Sequence, residues 1–266
     1  MFDLFLPRLP FSPLALLGYA GMCAAGLLAA VSVDQVLRVQ RALRDARSRR
    51  PARPYQYRTR RARQRVLIVG DSTGVGVGAD HPTEAIGGLL AADYRDAELV
   101  NLSIGGACIA DVPAQLRHLG RDTARFDLVL LHVGGNDIMR SGKLDALADA
   151  AEPLLLRLRH LGRRVVWLGP GDLGLAPLFR PPFSWWMSRR TEVACEMFRR
   201  VALRHGVEYV GFHAGPHRHL LARERARYFA SDGLHPSSHG YRYAYGCLKR
   251  SRTLAEALAA HHAAGR

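Results

Sequence analysis

The stretch RVLIVGDSTGVGVGAD, Arg65 to Asp80, decides how the chain is read. Val66 to Val69 is a short, uncharged, β-branched and leucine run, the composition of a strand buried on both faces. It breaks at Gly70 into a glycine-rich turn that holds Ser72. Taken alone, the turn fits several templates. Gly70-Asp71-Ser72-Thr73-Gly74 matches G-x-S-x-G, a turn that exposes a nucleophilic serine after a strand. Gly74-Val75-Gly76-Val77-Gly78-Ala79 matches the loose dinucleotide pattern G-x-G-x-x-G/A. A tight turn carrying a polar residue would explain it with no chemistry at all. A phosphate-binding P-loop is excluded, because no Gly-Lys-Ser/Thr follows.

Outward from this stretch the pattern is α/β. Further strands are predicted at Glu98–Leu102, Leu128–Val133, Val165–Leu168 and Glu208–Val210. Helices are predicted between them at Thr83–Asp93, Asp111–Leu119, Lys143–Leu161 and Arg189–His205, with a last one over Ser238–Leu258. Strands separated by helix-length segments call for right-handed crossovers and a mostly parallel sheet of about five strands, covered on both faces. In such a sheet a ligand sits beyond the carboxyl ends of the strands. The loops after the strands are therefore where chemistry is sought.

Those loops are informative. After the second strand comes NLSIGGACIAD, Asn101 to Asp111, whose glycines let backbone N–H groups approach a ligand. After the third comes HVGGNDIM, His132 to Met139, with Asn136 as a side-chain amide donor. Near the carboxyl terminus SDGLHPSSHGY, Ser231 to Tyr241, sets Asp232 three residues before His235. Acyl transfer needs a nucleophile, a base, a group that orients the base, and donors aimed at the developing oxyanion. Ser72, His235, Asp232, Gly106 and Asn136 supply that set.

With these blocks in order, the chain resembles the SGNH hydrolases, also called GDSL-type esterases and lipases. The blocks are Gly70-Asp71-Ser72, NLSIGGA, Gly134-Gly135-Asn136-Asp137 and Asp232-Gly233-Leu234-His235. The resemblance runs from about Val66 to Leu248. The leucine that usually closes the first block is Thr73 here. The resemblance implies a three-layer α/β/α, flavodoxin-like sandwich and hydrolysis of carboxylic esters, including lipid-like or lysophospholipid esters. It implies Ser72 as nucleophile, His235 as general base and then acid, and Asp232 as its orienting carboxylate. The oxyanion would be held by the N–H groups of Ser72 and Gly106, with Gly105 the alternative glycine, and by the Asn136 amide. No metal or organic cofactor is implied.

Other readings make different demands. An α/β-hydrolase shares the elbow but places it after several strands, with acid and histidine on separate loops. A dinucleotide-binding oxidoreductase leaves the Asn136 and His235 blocks unexplained. A membrane-tethered binding protein on the same fold would keep the residues without turning over an ester. His213, His217 and His219 read as loop residues, His132 as packed or hydrogen-bonded, and Asp71 and Asp137 as loop-bracing carboxylates.

The amino-terminal region is separate in character. Leu14 to Val33 runs twenty residues without a charge, enough to cross a bilayer as a helix. Only Asp3 and Arg8 precede it, so the basic start of a cleaved signal is missing. An uncleaved membrane anchor over residues 1–33 is the expectation. Between Asp34 and Arg65 twelve arginines face two aspartates, which gives that segment +10 of the chain's net +15. It is read as a juxtamembrane helix and basic linker that favours anionic lipid and a cytoplasmic globule at a bacterial inner membrane. A periplasmic or secreted globule is the alternative. Nucleic acid is disfavoured, because no binding motif accompanies the charge. Lys143 and Lys249 are the only lysines, a bias that suits GC-rich bacterial coding. The hydrolase domain is expected over residues 66–266. Within it PLFRPPFSWWMSRR, Pro177 to Arg190, sets Phe179, Phe183, Trp185 and Trp186 among arginines and reads as a loop facing substrate or membrane.

Overall fold

The computed structural model describes residues 13–48, 53–60, 62–120 and 124–259. Asp3 and Arg8, and Arg49, Arg50 and Arg61 of the basic segment, lie outside the described residues. The chain forms two compact units, Met1–Ala46 and Arg47–Arg266.

The first unit is built on one helix, α1 (Pro13–Ser48). At 1.5 Å per residue its 36 residues span about 54 Å, more than a hydrocarbon core of about 30 Å. Its stretch Leu17–Arg41 is long and apolar enough to cross a membrane, with a mean hydropathy of 1.6. Leu17, Met22, Leu27 and Leu28 stand exposed on it. An anchor and a signal sequence both fit that description. The helix does not stop where the charge begins at Asp34. Gln35 to Ala46 are mostly good helix formers with no Gly or Pro, and Asp34 pairs with Arg38 one turn on at 2.7 Å.

The second unit carries a five-stranded parallel sheet, β1 (Gln64–Gly70), β2 (Ala97–Asn101), β3 (Phe126–His132), β4 (Gly162–Gly171) and β5 (Glu208–Phe212), in spatial order β2-β1-β3-β4-β5. The helices are α2 (Ser72–Val75), α3 (Ile86–Asp93), α4 (Val112–Gln115), α5 (Gly135–Arg140), α6 (Ala146–Leu161), α7 (Phe183–Arg204), α8 (Gly215–Arg223), α9 (Arg225–Tyr228), α10 (Ser238–Leu248) and α11 (Arg252–Ala259). Successive strand residues point to opposite faces. Val66, Ile68, Leu128, Leu130, Val166 and Leu168 pack one way, against α3, α10 and α11. Leu67, Val129, Leu131, Val165 and Trp167 are equally buried, and α6 and α7 pack on the sheet as well. Trp167 stacks on Phe198 of α7, their ring centroids 4.8 Å apart. The result is three layers, as expected.

The strand order places the site. The chain moves from β1 to one side to make β2, then returns to β3 on the other side. The loops after β1 and β3 therefore part, leaving a crevice at their carboxyl ends. Ser72 and Asn136 sit on those two loops.

Three segments differ most from the sequence expectation, and besides them His217 and His219, expected in a loop, lie on α8. The last helix is two, because Lys249 to Ser251 breaks it. The Ser251 hydroxyl donates to Glu208 Oε2 at 2.8 Å and accepts from Leu254 N–H, capping α11 and pinning the break to β5. The aromatic segment is not all loop, since α7 begins at Phe183. A run of large apolar residues broken only by Ser184 hides its helical period until burial is seen. Ser184 and Met187 point inward, whereas Trp185 and Trp186 are 70% and 53% exposed. Phe179 is buried and so is not part of an exposed, membrane-facing surface. The third is the end of the basic segment, which packs on the globule. Tyr57 exchanges backbone hydrogen bonds with Leu99 of the edge strand β2, and the Gln56 side chain bonds the backbone of Asn101.

Candidate active site

The turn after β1 is shaped by its backbone. Gly70 has φ +145°, and a Cβ there would collide with the His132 carbonyl. Only glycine lets β1 and β3 approach so closely before the chain turns. Asp71 then caps the one-turn helix α2. Its Oδ1 accepts from Thr73 N–H at 2.9 Å and from the Thr73 hydroxyl. Beneath the turn Gln115, fully buried, pairs with both backbone groups of Gly70, at 2.9 and 2.7 Å. Asn101 Nδ2 donates to Gly74 O at 2.8 Å. Ser72 is left half-buried at the lip of the crevice.

The loop before α10 brings the partner. Ser237 caps α10, the Ser238 hydroxyl accepts from Asp80 N–H at 2.9 Å, and the Tyr241 hydroxyl donates to Val77 O at 2.8 Å. These contacts clamp the start of α10 to the Ser72 loop. His235 Nε2 then lies 2.8 Å from Ser72 Oγ, and His235 Nδ1 lies 2.7 Å from Asp232 Oδ2. Asp232 Oδ1 accepts from the N–H groups of Leu234 and His235 at 2.9 and 3.0 Å. Burial pushes the Asp232 carboxyl up, but bonds from the His235 ring and these N–H groups outweigh it and hold the group at about 2. Asp232 is therefore an anion above that pH, and its stabilising contribution is lost only as pH falls towards 2.

The third wall comes from β3 and α5. Asn136 is buried, lines the crevice and donates one amide hydrogen to Ala107 O at 3.0 Å, while its second amide hydrogen meets no acceptor among the described residues. Asp137 accepts from Ile109 N–H at 3.1 Å, and Arg140 donates to Gly106 O at 2.9 Å. Gly106 has φ +81°, a conformation that strains other residues. Through Ala107, Gly106 and Asn136 become neighbours, although Gly106 itself does not line the crevice. His132 packs beside them. Burial drives its imidazole down to about 3, so it is neutral, and its Nε2 has no hydrogen-bond partner among the described residues.

Ser72, His235 and Asn136 share one cavity of about 150 Å³, which the sequence did not foretell. Trp185, Trp186, Phe183 and Phe179 do not line it. His217 bonds Tyr243 rather than another histidine, and among the described residues no group of three His, Cys, Asp or Glu could hold a metal. Gln115 and Arg140, which brace the loops, also went unread. Both sit in helical sequence, where nothing marks a bracing residue.

Asp71 gives a testable pH effect. Burial pushes its carboxyl up to about 6, against the Thr73 bonds and the nearby His235, which pull it down. Unfolded, it titrates near 3.8. Between those values the folded chain holds the extra proton, so stability falls as pH rises from about 4 to about 6. Two pKa units correspond to about 3 kcal/mol. Asp71→Asn keeps an oxygen for Thr73 and has no charge to bury. It should raise the melting temperature at pH 8 by several degrees and leave it unchanged near pH 3.5. An equal shift at both values would exclude the titration as the cause.

A Ser–His–Asp chain at the carboxyl edge of a parallel three-layer sheet, with amide donors opposite, defines a hydrolase of the SGNH type. The chain belongs to the GDSL-like Lipase/Acylhydrolase family, whose model matches residues 68–243. Among solved structures it is similar to TesA, at 23% identity and TM-score 0.56, over 73% of this chain and all of that one. It is also similar to a catalytic mutant of Axe2, an acetylxylan esterase from Geobacillus stearothermophilus, at 20% identity and TM-score 0.55, over 71% of this chain and 94% of that one. LAE5, an alpha/beta hydrolase enzyme from the metagenome of Lake Arreo, Spain, aligns at 23% identity and TM-score 0.54, over 70% and 97% of the two chains. No curated protein matches the chain.

Proposed function

We propose that the protein is a serine esterase that cleaves carboxylic esters through Ser72, His235 and Asp232. The observation that carries this reading is the unbroken hydrogen-bond chain from Ser72 Oγ through both ring nitrogens of His235 to Asp232. Ser72 Oγ attacks the ester carbonyl as its proton passes to His235 Nε2. The Asp232 carboxylate stabilises the imidazolium and fixes its tautomer. The carbonyl oxygen, now an anion, is held by Ser72 N–H and the Asn136 amide, which line the cavity, with Gly106 N–H as the third donor from the adjoining loop that Asn136 bonds at Ala107 O. As the carbon–oxygen bond breaks, His235 returns the proton to the leaving alcohol. Water then attacks the acyl-serine, giving its proton to His235, and the acid departs as Ser72 is restored. A serine-reactive fluorophosphonate should label the protein at Ser72, and p-nitrophenyl esters should be turned over. Failure of both would favour a binding protein on the same fold.

Asn136→Ala should lower kcat by about 10²- to 10³-fold with little change in KM, since its amide meets the oxygen only as charge develops. An unchanged kcat would remove Asn136 from the oxyanion site.

The proposal extends to the membrane. The apolar stretch of α1 anchors the chain, and the arginines that follow that stretch hold the globule on the cytoplasmic side. Trp185 and Trp186 stand exposed beside Arg189 and Arg190, with the Arg190 guanidinium 4.8 Å from the Trp186 ring centroid. Tryptophan with arginine suits a bilayer interface. Serine at both positions should weaken binding of the second unit to anionic vesicles more than it lowers hydrolysis of a short soluble ester. Equal loss of both would count against it.

A further inference from the structure

The cavity does not end at Ser72. It passes over the carboxyl ends of β3 and β4 to Phe212 at the end of β5. From β1 to β5 is three strand spacings, about 14 Å. Leu221 of α8, Phe229 just after α9, and Tyr243 and Ala244 of α10 add to its walls. These walls offer carbon. The Tyr243 hydroxyl is taken up by His217 Nδ1 at 2.5 Å and the Tyr241 hydroxyl by Val77 O. The one carboxylate of the far wall, Asp172, is buried and engaged by Gly174 N–H, Ser188 and Arg218. A sugar or a charged group placed here would lose water and find few partners. A cavity of about 150 Å³ with apolar walls holds a group the size of benzene, six carbons.

The pocket suits the part of the substrate that stays. The alcohol must leave after the first step, and water must take its place beside His235. Beyond Ser72 the cavity runs among Phe212, Leu221 and Tyr243, where an alcohol would be slow to exchange for water but an acyl tail can stay through both steps.

We infer that this cavity is the acyl pocket of a medium-chain esterase, holding a straight tail of about six carbons with its carbonyl at Ser72 and its end over the carboxyl ends of β3 and β4, short of Phe212. This rests on the reading of Ser72 as nucleophile.

The test uses the full chain in lipid nanodiscs and p-nitrophenyl esters from acetyl to palmitoyl. Each methylene buried is worth about fourfold, so kcat/KM should rise about 200-fold from acetyl to hexanoyl and decline by dodecanoyl. A series that is flat, or highest at acetyl, would overturn the inference. Ala244→Phe should cut the hexanoyl-to-acetyl ratio about 50-fold, and Leu221→Ala should move the maximum to longer chains; an unmoved ratio and maximum in folded variants would overturn it too. Ethyl hexanoate should be a far better substrate than hexyl acetate, and the reverse order would give the pocket to the alcohol. Calorimetry on Ser72→Ala separates the pocket from the chemistry. Hexanoate should bind where acetate does not, and equal binding would refute the pocket even if esters are cleaved. Hexanoate binding with no ester turnover by the wild type would refute the Ser72 reading instead.

Discussion

Ester hydrolysis by Ser72→Ala is expected to fall by about 10⁴-fold or more, with fluorophosphonate labelling abolished and the melting temperature unchanged. The size of the loss follows from geometry. Ser72 Oγ is the hydroxyl within reach of His235 Nε2, at 2.8 Å. The neighbouring Thr73 hydroxyl is committed to Asp71, and Ser103 is buried. Without Oγ the covalent route closes, and what remains is catalysis by the oxyanion donors and by binding alone. The fold should not suffer, because α2 is capped by Asp71 and closed by Gly76, neither of which uses the Ser72 side chain. Turnover within tenfold of wild type would mean that His235 activates water directly, and the acyl-serine would have to be abandoned.

Much of this site could be read from sequence because its parts are local. A strand that ends in glycine, a serine at the turn and a carboxylate three residues before a histidine are short patterns with a direct physical reason. The parallel sheet was equally readable, since the buried runs are apolar throughout and the segments between them have helix length. What escaped depends on distant contacts. Ser251 caps α11 at the break in the last helix, and its hydroxyl is held there by Glu208 of β5. Trp185 and Met187 look alike in sequence, yet α7 turns one outward and the other in. Tyr57 lies in arginine-rich sequence and still finds the open edge of β2. The cavity is the extreme case, as its walls come from four strand ends and five helices that share no motif.

Asp232→Asn should lower kcat by about 10⁴-fold while leaving the fold intact, and the reason lies in the two oxygens of Asp232. Oδ1 accepts from two backbone N–H groups, those of Leu234 and His235. In the variant the amide oxygen must stay there, because turning the NH₂ towards two donors would leave all three groups unpaired. The NH₂ group therefore faces His235 Nδ1, which can meet it only as an acceptor. The ring proton is then driven to Nε2, the atom that must take the proton from Ser72. The histidine keeps its place and loses its function. Structure and melting behaviour at pH 8 should change little, whereas the rate of fluorophosphonate labelling should fall in step with kcat. Loss of activity with unchanged labelling would place the role of Asp232 after acylation. Loss of fold would mean that its bonds to the Leu234 and His235 backbone, and not the imidazole tautomer, are what the loop requires.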